Sequence, residues 1–422
     1  MTLIDILALL VGLSAVFGYI NHQFLRLPHT IGLVVIALAA SGAIVAADFA
    51  APSYGIGELV VGTLKRIDFY ETVMHGMLSL LLFAGAVHVD INELASRKWA
   101  IALMATAGVG LSTVVVATCI WLAAGVLGIA LPFTWALVFG ALISPTDPVA
   151  VLGILKSVKV PRLLEAKIAG ESLFNDGVGV VVFTIMVAIA TGGPHGEVGA
   201  REVLELFVVE ALGGAALGFA AGYVAYLAMR RVDEHNLEVL ITLALVLCTY
   251  AVAIHSHLSG PIAVVIAGLF IGNHGARFAM SDQTRRHVFQ FWELSDELLN
   301  SVLFLLIGLE VLVVGISPDL AVIAAVAIPI VLAARWISVA APIGLLSIRE
   351  TYSRGAIAIL TWGGLRGGIS VALALSLPQT AYKPVVLAAT YAVVVFSIIV
   401  QGLTMKAVVQ RMGDPGTDAE SG

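Results

Sequence analysis

Apolar runs of eighteen or more residues recur from one end of the chain to the other, separated by short polar segments. A run of that length covers the hydrocarbon core of a bilayer as a helix. Backbone groups in lipid must be satisfied within their own segment, so the runs read as helices. Thirteen spans can be drawn, centred near Leu13, Ala39, Leu81, Val114, Leu142, Val180, Leu217, Val246, Ile266, Leu305, Ile330, Ser370 and Val394. The tightest boundary is His255-Ser256-His257-Leu258-Ser259-Gly260, between spans eight and nine. The first run, Leu3 to Ile20, lacks a basic leader and an A-x-A cleavage site, so it is expected to remain as span one. The pattern predicts an all-α polytopic membrane protein.

Composition excludes a soluble alternative. Of 422 residues, 60% are hydrophobic and 12% charged, whereas a soluble domain carries about 25% charged residues. A soluble chain this long would still need a charged surface. Cys119 and Cys248 both lie inside apolar runs and give neither a disulfide framework nor metal spacing. No cofactor and no nucleic-acid partner is expected, and the bilayer is the first partner.

The net charge of −6 matters less than where the charges lie. Of the 22 Lys and Arg residues, sixteen follow odd-numbered spans: Arg26; Arg97 and Lys98; Lys156, Lys159, Arg162 and Lys167; Arg230 and Arg231; Arg277, Arg285 and Arg286; Arg349 and Arg354; Lys406 and Arg411. Only Lys65, Arg66, Arg201 and Lys383 occupy the alternate loops, and Arg335 and Arg366 fall inside spans. The positive-inside rule then predicts an inner-membrane protein with its N-terminus outside and its C-terminus cytoplasmic.

Spans two and nine share Val34-Val35-Ile36-Ala37 and Val264-Val265-Ile266-Ala267, followed by Gly42 and Gly272. Spans five and twelve share Thr134-Trp135 before Ile143-Ser144 and Thr361-Trp362 before Ile369-Ser370. Both pairs are seven spans apart, and an odd separation makes the copies face opposite ways. Inverted repeats of this kind build secondary transporters with a midplane site. The expected division is a first repeat over 1–192, a linker span over 193–232, a second repeat over 233–412 and a short cytoplasmic tail over 413–422.

A carboxylate at the centre of a membrane helix costs roughly 2.5–3.5 kcal/mol even on insertion scales, so buried ionisable residues point to function. Asp147 sits in Ser144-Pro145-Thr146-Asp147-Pro148. Each proline removes a donor and clashes with the preceding turn, so span five should break there and free its carbonyls. Asp147 then either helps coordinate a small cation or caps a structural kink. Span six opens Gly170-Glu171-Ser172-Leu173-Phe174-Asn175-Asp176-Gly177. Ser172 and Asp176, four apart, share a face, and Asn175 points elsewhere, toward the span-five break. Span twelve reads Trp362-Gly363-Gly364-Leu365-Arg366-Gly367-Gly368, four glycines around one arginine. A lone buried Arg366 needs a carboxylate, and Glu171 is the expected partner in a structural pair. Glu310 and Arg335 are expected nearer span ends, where they either snorkel or pair locally, or else touch the substrate. His88, His255 and His257 lie near span ends as solvated or packed imidazoles.

With Ile143-Ser144-Pro145-Thr146-Asp147-Pro148-Val149-Ala150-Val151, these motifs resemble the monovalent cation/proton antiporter-1 family, which holds the NhaP-type bacterial Na+/H+ antiporters and the eukaryotic sodium/hydrogen exchangers. Asn300-Ser301 with Leu306-Ile307-Gly308-Leu309-Glu310, and Ala263 to Gly268, are similar to that family too, so the resemblance covers nearly all spans. It implies thirteen spans as inverted repeats, crossed and partly unwound helices at spans five and twelve, a dimerisation domain, a mobile core domain and a homodimer. It implies that Asp176 is the carboxylate shared by cation and proton. Ser172 and the Thr146 carbonyl would be Na+ ligands, with Asp147 a ligand directly or through water. Asn175 would tie span six to span five. Asn175, where electrogenic relatives carry a second aspartate, implies electroneutral 1:1 exchange. One departure is Leu82-Phe83-Ala84-Gly85-Ala86, because many members carry glutamate at the position of Ala84. The resulting expectation is a secondary antiporter, not an enzyme, exchanging Na+ or Li+ for H+. Its rivals are K+/H+ exchange on the same fold, a cation channel or sensor, and an intramembrane aspartyl enzyme using Asp147 and Asp176.

Overall fold

The computed structural model describes residues 2–51, 55–64, 66–96, 98–147, 162–192, 200–314, 320–346 and 355–412, which are helical with short connections and no strand. Lys65, Arg97, Lys156, Lys159, Arg349 and Arg354, the motif residues 148–151, the start of the expected linker (193–199) and the tail 413–422 lie outside the described residues.

All thirteen expected centres fall in helix. Spans one to four are Leu3–Ile20, His29–Ala50, Glu71–Val87 and Trp99–Val126. Spans five to eight are Phe133–Ile143, Arg162–Thr191, Ala200–Met229 and His235–His255. Spans nine to eleven are Gly260–Phe270, Asp282–Val314 and Ala321–Leu346. Span twelve comes as two pieces, Ala356–Trp362 and Gly368–Leu375, and span thirteen as Lys383–Phe396 continued by Gly402–Met412. A further short helix, Ile56–Leu64, precedes span three. Among the described residues, nine helices are long and apolar enough to cross a bilayer. Span five, at 11 residues, and the pieces of span twelve, at 7 and 8, are too short to do so and stop partway.

The cause of each stop is local. Span five ends one residue before Ser144-Pro145, where the helix loses a donor. Span twelve ends and restarts around paired glycines. Span eleven, by contrast, keeps Pro329 and Pro342 inside one helix, as membrane helices do when neighbours satisfy the freed groups. Span eight starts at a side-chain cap: Glu234 accepts from Asn236 N at 3.1 Å and Leu237 N at 2.7 Å. Those backbone donors hold its carboxyl below the usual carboxylate range.

The helices pack as two groups. Spans four, five, six, eleven, twelve and thirteen form one, and spans one, two, three, seven, eight, nine and ten form the other. The surface is inverted relative to a soluble protein. Ile4, Phe24, Phe49 and Val126 face outward, while Asn175, Asp176 and Arg366 are buried. Lipid gives apolar side chains no reason to hide, so helices associate through close packing of small residues. Gly308 of span ten sits on the Val34 carbonyl and the Ala37 methyl of span two. Gly268 of span nine sits in the same way on Phe83 O and Ala86 of span three.

A Cβ at Gly308 would lie 2.5 Å from Ala37 Cβ, whereas one at Gly42 would meet nothing within 4 Å. Gly308→Val should therefore cost about 1–3 kcal/mol through overpacking and lower the thermal midpoint of the purified protein. Gly42→Val should leave it near the parent value, and equal midpoints for the two variants would refute this packing.

Candidate functional site

The two broken helices cross, and each satisfies the groups that the other leaves open. The helix ends at Ile143, and Ser144 O could take no helical donor from residue 148, because that residue is a proline. Arg366 Nη1 donates to two carbonyls here, closely to Ser144 O and at 2.6 Å to Pro145 O. A guanidinium there also sits at the negative end of the span-five half-helix. Asp147 N donates to Leu365 O at 2.8 Å. Ser370 Oγ donates to Leu142 O at 2.8 Å, and Arg366 N donates to Ser397 Oγ of span thirteen at 2.9 Å. The Ser144 hydroxyl lies 2.7 Å from Gly140 O and 2.9 Å from Ser112 Oγ of span four. The Asp147 carboxylate rests on Gly367, where a Cβ would come within 1.9 Å of Oδ2. Only glycine permits that approach.

Span six runs unbroken past this crossing. Asn175 clasps Thr146 twice: its Oδ1 accepts from Thr146 N at 3.3 Å, and its Nδ2 donates to Thr146 Oγ1 at 2.8 Å. Ser172 Oγ lies 3.0 Å from the same Thr146 Oγ1. Asp176, one turn beyond Ser172, is 5% exposed, and the charged groups that act on it are Asp147 and Arg366. The structure thus gathers Thr146, Asp147, Ser172, Asn175 and Asp176 at one place, with oxygen the dominant polar atom.

Glu171 departs from expectation. Its partner is Arg335, not Arg366. Arg335 forks onto the carboxylate, with Nη1 closely on Oε1 and Nη2 on Oε2 at 3.0 Å. The same guanidinium donates to Leu360 O from Nε at 3.3 Å and from Nη2 at 3.1 Å. The reason is geometric. Arg335 lies deep within span eleven, 7% exposed, and not at a snorkelling end. Leu360 is one of the carbonyls that the span-twelve break frees. Gly364 lets the two approach, because a Cβ there would lie 2.4 Å from Arg335 Nε. Arg366 is already committed to the span-five carbonyls, and among the described residues its buried Nη2 has no hydrogen-bond partner. Gln401 Nε2 satisfies another break carbonyl, Trp362 O, at 3.0 Å.

The chain as a whole has counterparts among known proteins. A profile described as sodium/hydrogen exchanger, transmembrane, matches residues 12–411. The chain belongs to the sodium/hydrogen exchanger family. It is 46% identical to the Na+/H+ antiporter NhaP of Pseudomonas aeruginosa over 97% of each chain. It is 38% identical to the Na+/H+ antiporter NhaH of Halobacillus dabanensis, covering 82% of this chain and 84% of that one. The sodium proton antiporter MjNhaP1 of Methanocaldococcus jannaschii shares the fold, with a TM-score of 0.72 at 18% identity over 97% of this chain and 99% of that one.

In this family member the remaining candidates lie away from the crossing or serve packing. His88 and His255 each bond a carbonyl four residues back in their own helix, Ala84 O and Ala251 O, both at 2.7 Å. Glu310 is 7% exposed and buried in span ten rather than snorkelling. Ala84 is buried, and its neighbour Gly85 faces Leu173 of span six. Sequence reasoning missed Arg335 and Ser397 as partners of the site. The signal for Arg335 was its depth within the span-eleven run, which leaves a guanidinium no route to water.

Breaking a buried ion pair on one side strands a charge, at about 3–5 kcal/mol. Glu171→Ala and Arg335→Ala should each lower the thermal midpoint strongly, and the double variant should lose less than the two single losses added together. Additive losses would show that the two side chains do not interact.

Proposed function

We propose that the protein is a secondary antiporter that exchanges Na+ or Li+ for H+ by competition at Asp176. The observation that carries this reading is a buried carboxylate on an intact helix, beside the crossing of two broken ones, with Asp147, Thr146 and Ser172 supplying further oxygens. Hard oxygen donors suit a small monovalent cation, and a carboxylate is a ligand that a proton can also claim. Asp176 and Ser172, with the Thr146 carbonyl, hold the cation, and Asp147 coordinates it directly or through water. Asn175 fixes the non-helical stretch of span five against span six. Glu171 and Arg335 brace the same region.

Moving a bare carboxylate through the barrier is expensive, so only the cation-loaded or proton-loaded form crosses. The group of spans four to six and eleven to thirteen carries the site and moves against the other spans. The domain reading rests on inverted repeats over 1–192 and 233–412. Two pairings support it: span two packs on ten as nine packs on three, and spans five and twelve cross each other. The protein resides in the bacterial inner membrane as a homodimer, with its N-terminus outside and its C-terminus cytoplasmic. K+ in place of Na+ is the alternative substrate, and the names of the relatives favour Na+.

Asp176→Asn should abolish Na+-driven proton movement in proteoliposomes carrying a pH dye, with the thermal midpoint preserved, because an amide exchanges no proton. Retained exchange in that variant would remove Asp176 from the mechanism.

One carboxylate changing occupancy per cycle makes the two crossing steps carry the same charge in opposite directions. Exchange should then ignore membrane potential, whose work is about 2.3 kcal/mol per charge per 100 mV. With K+ transport first excluded, rates with and without a valinomycin-set K+ potential should coincide. A rate that follows the voltage would require a second proton site.

A further inference from the structure

Among the described residues, span ten holds a buried oxygen atom with no hydrogen-bond partner. Asn300 is 2% exposed, and its Nδ2 donates to Asp296 Oδ1, one turn earlier, at 3.0 Å. An ionised carboxylate only accepts, so this bond fixes which end of the amide is nitrogen. The other end, Asn300 Oδ1, is buried without a hydrogen-bond partner. Buried acceptors are almost always paired, and one left open asks for a donor, a water or a cation.

Its position relates it to the site. Leu303, three residues on, shares the Asn300 face of the helix. It packs on Gly368, where a Cβ would lie 2.4 Å from Leu303 Cδ1. Gly368 follows Gly367, the residue that carries the Asp147 carboxylate. Span ten belongs to the group opposite the crossing; Leu303 meets span twelve across the seam, and Asn300 and Asp296 lie along the same stripe of span ten. Asp296 is half-buried and Asn300 buried, so this row of oxygens leads from the accessible side inward.

We infer that Asn300 Oδ1 is a ligand for the monovalent cation on its way to Asp147 and Asp176, and that Asp296 positions the amide for it. The inference rests on the antiport reading. A cation entering a helix bundle must exchange hydration water for protein oxygens, and carbonyl dipoles do this without adding charge. An amide oxygen holds a cation but takes no proton near neutral pH. Asn300 therefore acts on the cation half of the competition alone.

The test uses the full chain in proteoliposomes, titrated with Na+ and with Li+ at several pH values. Asn300→Leu should lower apparent Na+ affinity about tenfold, with maximal rate and its pH dependence near those of the parent. Asp296→Ala, which frees the amide to turn, should give a smaller loss of the same kind. Asn300→Asp should raise apparent Na+ affinity. Unchanged affinity for both ions in Asn300→Leu overturns the inference. If that variant does not fold, unchanged affinity in both Asn300→Asp and Asp296→Ala overturns it. A second readout needs no exchange: Na+ should raise the thermal midpoint of the detergent-solubilised parent more than that of Asn300→Leu. A parent that moves no protons in response to Na+ sinks the antiport reading, and the thermal comparison still decides whether Asn300 meets the ion.

Discussion

A helix that stops halfway across a bilayer leaves carbonyls and amides where there is no water to receive them. Each unsatisfied group costs several kcal/mol in hydrocarbon, so such a stop persists only where protein supplies the missing partners. Spans five and twelve meet this demand mutually. Arg366 closes the end of span five, the Leu365 carbonyl receives Asp147 N, and Ser370 reaches Leu142 O. Arg335 and Gln401 take the carbonyls on the other side of the span-twelve break. Neither break could be kept without the other, and the polar atoms spared from this lacing are the ones a cation can use.

The division of labour among buried charges follows from that demand. The two arginines are held by backbone carbonyls as much as by carboxylates. Arg335 shares itself between Glu171 and Leu360 O. Arg366 spends its Nη1 on span five and is felt by Asp176 only at a distance. Among the described residues no ion pair joins Asp176 to a cationic side chain, and the charges that act on it are Asp147 and Arg366.

Much of this was legible in the sequence. The thirteen runs, the proline pair of span five and the glycines of span twelve announced the fold and the two breaks, because each is a local property of backbone donors and helix length. The gathering of Thr146, Asp147, Ser172, Asn175 and Asp176 was also readable, since each lies within one turn of a neighbour on the list. The partner of Glu171 was not readable. Arg335 and Arg366 are both single buried arginines, and which one reaches span six depends on how spans eleven and twelve pack, through Gly364. The Asn300-Ser301 motif marked the resemblance but not a role for Asn300, whose open oxygen becomes visible only when its amide is seen fixed by Asp296.

The charges around the crossing have a further consequence. Asp147, Asp176 and Glu171, when ionised, outnumber Arg335 and Arg366 by one. One bound univalent ion brings this group to neutrality, and the self-energy of carrying it through a low-dielectric slab falls with it. A divalent ion in the same place would overshoot by one charge and restore the penalty that the empty site suffers. On the antiport reading, discrimination by valence therefore needs no filter and no size exclusion, because the charge balance alone disfavours carrying a divalent ion.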